Sequence, residues 1–199
     1  MFRLRKPSRS EIETFLASQR ESGFSYSEVG ATRAQLPTGY TVDHNRVRLG
    51  SGSDVFHRAV HCLRNWQMFK LGWVELFDSD TPIKVDATVA VLVHHFGFWS
   101  LNGCRVVYVL NDDRKYGFAY GTLQDHAEQG EERFSVDWSS ADDVVSYDVL
   151  AFSRPRQWQA KFALPISRRL QRKFARDSKA AMTRAALDRA GYQAAGAGR

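Results

Sequence analysis

The stretch Tyr116-Gly117-Phe118-Ala119-Tyr120-Gly121-Thr122-Leu123, then Glu131-Glu132-Arg133-Phe134, then Ala151-Phe152-Ser153-Arg154-Pro155, decides the fold. In a strand, side chains alternate between two faces. Tyr116, Phe118, Tyr120 and Thr122 therefore share one face of a strand over 115–123. In the strand over 131–139, Glu132 shares a face with Phe134, Val136 and Trp138, while Glu131, Arg133, Ser135 and Asp137 take the other. A carboxyl group on an apolar face has to be paired, hydrogen-bonded or protonated, because burying it bare is costly. Arg154 is the partner to expect for Glu132.

Working outward, further strands fit 86–98, 103–112 and 143–153. Turn signals lie at Asn102-Gly103, Asn111-Asp112-Asp113, Gln129-Gly130 and between Ser139 and Asp143. Such short gaps require antiparallel neighbours. The 86–98 strand is apolar on both faces, which places it centrally or under a covering segment. Residues 1–39 are expected to supply that cover, with a helix from Glu11 to Arg20 capped by Ser8 or Ser10. A strand fits 40–49. Gly50-Ser51-Gly52 then turns into a helix over 54–66, capped by Ser53, with Phe56, Ala59, Val60 and Leu63 as its buried stripe. After it comes a strand over 68–77.

Pro155 suits the first turn of a long final helix. Its stripe runs through Trp158, Phe162, Ile166, Leu170, Phe174, Ala181, Met182 and Ala185, with a kink at Pro165. The element order gives an α+β fold: a curved antiparallel sheet gripping a long C-terminal helix, with room for a cavity between them. The expected organisation is an N-terminal helical extension over 1–39, a helix-grip domain over 40–190 and a flexible tail over 191–199.

Composition narrows the class. The 199 residues are 43% apolar and 25% charged, ordinary for a soluble globular domain. The longest apolar run, Ala87 to Phe98, is interrupted by His94 and His95 and is too short for a membrane helix. Two cysteines, Cys62 and Cys104, are too few for a disulfide framework. With no secretory leader in view, they read as reduced thiols of a cytoplasmic protein. Charge is uneven: from Arg154 onward 12 Lys/Arg stand against Asp177 and Asp188, and the remainder holds 16 basic against 20 acidic residues. Arg168, Arg169, Arg172, Lys173, Arg176 and Lys179 make either a solvated helix face or an attraction to an anionic surface, lipid or nucleic acid.

The quoted motifs resemble the uncharacterised family called domain of unknown function nineteen-ninety. So do Leu49-Gly50, Gly52, Phe56, Ala59, Trp66 and Ala181-Met182, and the resemblance spans about residues 15–185. It implies a START-like helix-grip fold and no established reaction. The family's loop Leu-Pro-Gly-His-Pro-Glu-x-Gly stands here as Leu123-Gln124-Asp125-His126-Ala127-Glu128-Gln129-Gly130, without the prolines and the first glycine.

Three functions compete. The first is binding of a small apolar or amphipathic ligand, with Tyr116, Tyr120, Thr122, His126, Glu132 and Arg154 at one end of the cavity. The second is a cyclase- or hydratase-like enzyme with Glu132 or His126 as general acid or base. The third is the anionic surface. No motif calls for a cofactor or metal: His57 and His61 lack the glutamate of the zinc pattern, and His126 with Glu128, Glu131 and Glu132 is a weak ligand set. Gly50-Ser51-Gly52 lacks the lysine of a phosphate loop, and neither cysteine sits in an activating motif.

Overall fold

A computed structural model describes residues 2–155 and 164–188. The elements are β1 (Phe2–Arg3), α1 (Arg9–Arg20), β2 (Thr41–Ser51), α2 (Ser53–Arg64), β3 (Val74–Phe77), β4 (Thr88–His95), β5 (Phe98–Asp112), β6 (Lys115–Thr122), β7 (Glu128–Trp138), β8 (Val144–Pro155) and α3 (Leu164–Leu187). Every strand pairing is antiparallel, in the order β2-β8-β7-β6-β5-β4-β3. β1 pairs with Trp99 and Ser100 of β5, beyond the point where β6 stops pairing. This is the expected curved sheet closed by a terminal helix.

The two faces of the sheet are covered differently. On the concave face, α2 packs Phe56, Ala59, Val60 and Leu63 against Phe118, Phe134 and Tyr147, and Met182 and Ala186 of α3 join the same core. On the convex face, Ile12 and Leu16 of α1 cover Ala90, Leu92 and Leu101. α1 is capped by Ser8, whose hydroxyl accepts from the Glu11 N–H while the Glu11 carboxylate accepts from the Ser8 N–H at 2.7 Å. Its other end is held by Arg105, which donates to the carbonyls of Gln19, Arg20 and Ser22, each at 2.9 Å. A cation there complements both the orphan carbonyls and the helix dipole.

Several boundaries differ from expectation, each for a local reason. Asn102-Gly103 is not a turn but lies inside β5. Asn102 donates to the Val91 carbonyl, and Gly103 lies so close under α1 that a Cβ would come within 2.8 Å of Gln19 Oε1. The real turn is Phe96-Gly97, both with positive φ, as a two-residue hairpin requires. Gln129-Gly130 lies inside β7. The expected strand over 68–77 becomes a 3₁₀ turn at Gln67–Phe69 followed by β3. Gly52 rather than Ser53 occupies the cap position of α2, with no side-chain bond. Pro155 ends β8 instead of opening a helix; it pairs with Glu128 of β7 at the end of the ladder, beyond Ser153, where pairing with β2 has stopped. Pro165 is the second described residue of α3, and the stretch 156–163 before it lies outside the described residues. Trp158, Phe162 and the tail over 191–199 lie outside the described residues.

One irregularity changes the face that a side chain takes. β5 shifts register between Val106 and Tyr108. Val106 lies opposite Tyr120, whereas Tyr108 lies opposite Ala119. A bulge of one residue moves every later side chain to the other face. Tyr108 is thereby delivered to the convex side.

Candidate functional site

Between the open end of the sheet and α3 lies a cavity of about 1110 Å³. Phe69, Trp73, Val91, Val93, Val149 and Phe174 form apolar walls. Lining residues that are themselves exposed mark where it meets solvent: Phe96 and Phe98 at the β4–β5 turn, Gln124, Asp125 and Ala127 in the β6–β7 loop, and Arg172 on α3. α3 is fastened over the cavity by polar clasps. Arg168 bonds Asp43 at 2.6 Å, Gln171 donates to Glu128 at 2.6 Å and to Ser153 at 3.0 Å, and Lys179 donates to Asn45 at 3.2 Å.

Glu132 is the acid inside. The β6–β7 register sets it directly opposite Tyr120, and the Tyr120 hydroxyl donates to its Oε2 at 2.8 Å. Burial raises its pKa from 4.5 to about 7; the Tyr120 bond pulls downward, and the negative charges of Glu128 and Asp43 push upward. The group is enclosed by protein but keeps surface on the cavity. Burial, and then the charge of Glu132, hold the Tyr120 phenol protonated. Near neutral pH both the carboxylate and the carboxylic acid are within reach. Glu132 can accept a hydrogen bond from a ligand in one state and donate one in the other.

The expected Glu132–Arg154 pair does not form. Arg154 is exposed, donates to Gln129 at 3.1 Å and lies over the Tyr40 ring at 4.3 Å. Of the six residues singled out by sequence, Tyr120, Thr122, His126 and Glu132 line the cavity. Tyr116 and Arg154 do not: Tyr116 is buried deeper in the core, with Arg64 over its ring at 4.6 Å. The Thr122 hydroxyl is occupied by the Gly130 N–H at 2.9 Å and by Ser25 at 2.6 Å. The Glu128 N–H donates to His126 Nδ1 at 3.0 Å. Burial lowers the His126 pKa to about 4, so the ring is neutral near pH 7, with Nδ1 also 3.1 Å from the Glu128 carbonyl.

Sequence reasoning missed the far wall: Phe69, Trp73, Val91, Val93 and Phe174. Phe174 was legible as part of a buried stripe, and Val91 and Val93 as members of a doubly apolar strand, but nothing local says which of them faces a void.

Glu131, one residue away, belongs to the other face. Its carboxylate accepts from the Tyr26 hydroxyl at 2.8 Å, the Gly30 N–H at 2.6 Å, the Thr32 N–H at 3.0 Å and the Thr32 hydroxyl. Tyr108 bonds the Thr32 hydroxyl at 2.6 Å, and Arg133 links the Thr32 carbonyl at 2.8 Å to Asp148 at 3.1 Å. Gly121 makes this possible: a Cβ there would stand 2.1 Å from the Tyr26 hydroxyl oxygen.

Because Glu131 and Glu132 face apart, they do not form a ligand set with His126. Among the described residues no three His, Cys, Asp or Glu side chains are grouped to hold a metal ion. Cys62 and Cys104 are buried, free and driven toward the thiol form by burial. Along α3, Arg168, Lys173, Arg176 and Lys179 already hold Asp43, Asp177 and Asn45, while Arg169 and Arg172 are exposed. No described helix is long and apolar enough to cross a membrane.

A curved sheet, a gripping helix and an apolar cavity with a polar end define the START-like helix-grip class. Residues 25–181 match the model of the domain of unknown function DUF1990, and the chain belongs to that family. It is 36% identical over 199 residues to the UPF0548 protein of Dictyostelium discoideum, covering 89% of this chain and 92% of that one. It is 37% identical over 198 residues to the UPF0548 protein of Deinococcus radiodurans, covering 94% and 99%. Among solved structures, the hypothetical protein jhp0584 of Helicobacter pylori superposes with a TM-score of 0.53 at 12% identity, over 81% of this chain and 94% of that one.

Proposed function

We propose that this protein binds a small apolar or amphipathic molecule between its sheet and α3. The observation that carries the reading is the cavity of about 1110 Å³, apolar along its walls and polar at Tyr120–Glu132. Pockets with apolar walls and a few convergent polar groups are where small ligands bind, the polar groups fixing orientation. The volume exceeds what interiors leave by accident, since cores pack with few voids larger than a water molecule. Native mass spectrometry of protein purified without detergent tests this: the expected result is an added mass that denaturation releases. Absence of added mass, together with no displacement of an apolar fluorophore by any amphiphile, would defeat it.

A second reading has its own support. Glu132 has no cationic partner among the described residues and opens on the cavity, with a pKa near 7. That is where a general acid or base works best. Under this reading Glu132 exchanges a proton with bound substrate while Tyr120 orients it. A conversion rate that follows a single ionisation near pH 7 and vanishes in Glu132→Gln would favour catalysis over storage.

A further inference from the structure

We propose that the cavity is built for a cationic amphiphile, a hydrophobic amine whose ammonium group meets Glu132 and Tyr120 while its apolar body lies along the walls. This rests on the ligand-binding reading above and names the ligand class. Three observations carry it. The first is that Glu132 lacks a positive partner among the described residues: its hydrogen bond comes from a neutral phenol, and Arg154, the obvious candidate, is engaged elsewhere. An enclosed carboxylate is complete only when its charge is met, and here a ligand can meet it.

The second is the sign of the surroundings. The groups facing Glu132 are Tyr120 from β6, Cys104 from β5, Tyr147 from β8, Glu128 from β7 and Asp43 from β2. Asp43 is already met by Arg168 at 2.6 Å and Glu128 accepts from Gln171 at 2.6 Å, and none of the five is a cation. From α3 the lining groups are Leu170, Gln171, Phe174, Ala175 and Arg172, and Arg172 is exposed at the rim. Its charge is therefore screened by solvent. A carboxylate ligand brought to this end meets the Glu132 acid and, among the described Lys and Arg, only the exposed Arg172 lines the cavity, whereas an ammonium group meets the opposite sign.

The third is the wall next to the acid. Phe69, Tyr120 and Phe174 line the cavity and are joined behind by the fully buried Phe134, with ring centroids 5.4 to 6.3 Å apart. Aromatic faces attract cations, and desolvation strengthens the attraction. The same chemistry already operates nearby, where Lys173 Nζ stands 3.8 Å from the Trp73 ring centre.

The test compares octylamine, octanol and octanoate, one chain with three head groups, by calorimetric titration of the full chain. Alkylamines keep their proton to about pH 10, so any pH effect near neutrality belongs to the protein. At pH 8 octylamine is expected to bind roughly tenfold more tightly than octanol, with octanoate weakest. At pH 6 the advantage shrinks and amine binding releases a proton, read as a heat that depends on the buffer. In Glu132→Gln the ratio of amine to alcohol affinity falls to about one. The proton release is measured on the unaltered protein, so the proposal stays testable if the variant folds poorly. Octanol or octanoate equalling the amine at pH 8, no proton release at pH 6, or a ratio retained in the variant would each overturn it. If none of the three binds, the ligand-binding reading falls as well, a result distinct from binding without preference.

Discussion

Glu131 and Glu132 are chain neighbours of identical chemistry with opposite lives. Glu131 is roofed by residues 26–32 and satisfied by four donors, two of them backbone N–H groups. Glu132 has one donor among the described residues and looks into a void. The period of two along β7 separates them to opposite faces, and what covers each face does the rest. The carboxylate saturated by its own chain holds the fold together. The one left short of partners stores a proton and is available to a ligand.

The largest test of that contrast is Glu131→Ala. It strands four donors in a closed site, and should destabilise by on the order of 4 kcal/mol. Urea denaturation read by tryptophan fluorescence would measure it, and a cost near that of a surface substitution would break the comparison. Gly121→Ala should cost roughly 2–3 kcal/mol by forcing the Tyr26 ring off the sheet. If the loss comes from this network, Gly121→Ala and Tyr26→Phe together should cost less than the sum of the two.

The third prediction concerns pH. A carboxyl whose folded pKa lies above its unfolded value favours the folded state only while protonated. Its contribution is complete below pH 4.5 and is lost as pH rises toward 7. Wild-type stability should therefore fall across that window by roughly 3 kcal/mol relative to Glu132→Gln, and run parallel above it. His126 acts in the other direction. Its pKa is depressed from 6.5 to about 4, so its contribution is present above pH 6.5 and lost as pH falls. The two slopes partly cancel between pH 4.5 and 6.5, and His126→Asn should expose the full Glu132 slope. A Glu132→Gln profile superimposable on wild type would mean that folding leaves the Glu132 pKa where it is in the unfolded chain. The smallest effect is Tyr120→Phe. It should change stability by under about 1 kcal/mol yet move the Glu132 titration upward, followed by carboxyl infrared absorption, because the lost bond favoured the ionised form.

The sequence placed Glu132 on one apolar face and Tyr120 on another, because a strand leaves a side chain only two directions; that the two stand opposite each other came from the β6–β7 register. It also read Asn102-Gly103 as a turn, since the dipeptide is the same whether the chain bends or another element presses on it. Only the position of Gln19 over Gly103 distinguishes the two. Glu131 read as a plain polar-face residue for the same reason. The segment that roofs it is about a hundred residues away in the chain, with no periodicity to announce its destination. Tyr108 joined that roof through a one-residue bulge, invisible in a pattern that counts by twos.

Strand alternation, short turns and one final amphipathic stripe were enough to determine the antiparallel sheet, its terminal helix and the face on which an acid would be buried, because these depend on neighbours within a few residues. Which acid would be saturated and which left open, that Arg154 would turn outward, and that the helix would stand off far enough to leave a cavity were decided only in three dimensions. Those outcomes depend on contacts between segments distant in sequence, and a side chain's partners are set by whichever segment arrives.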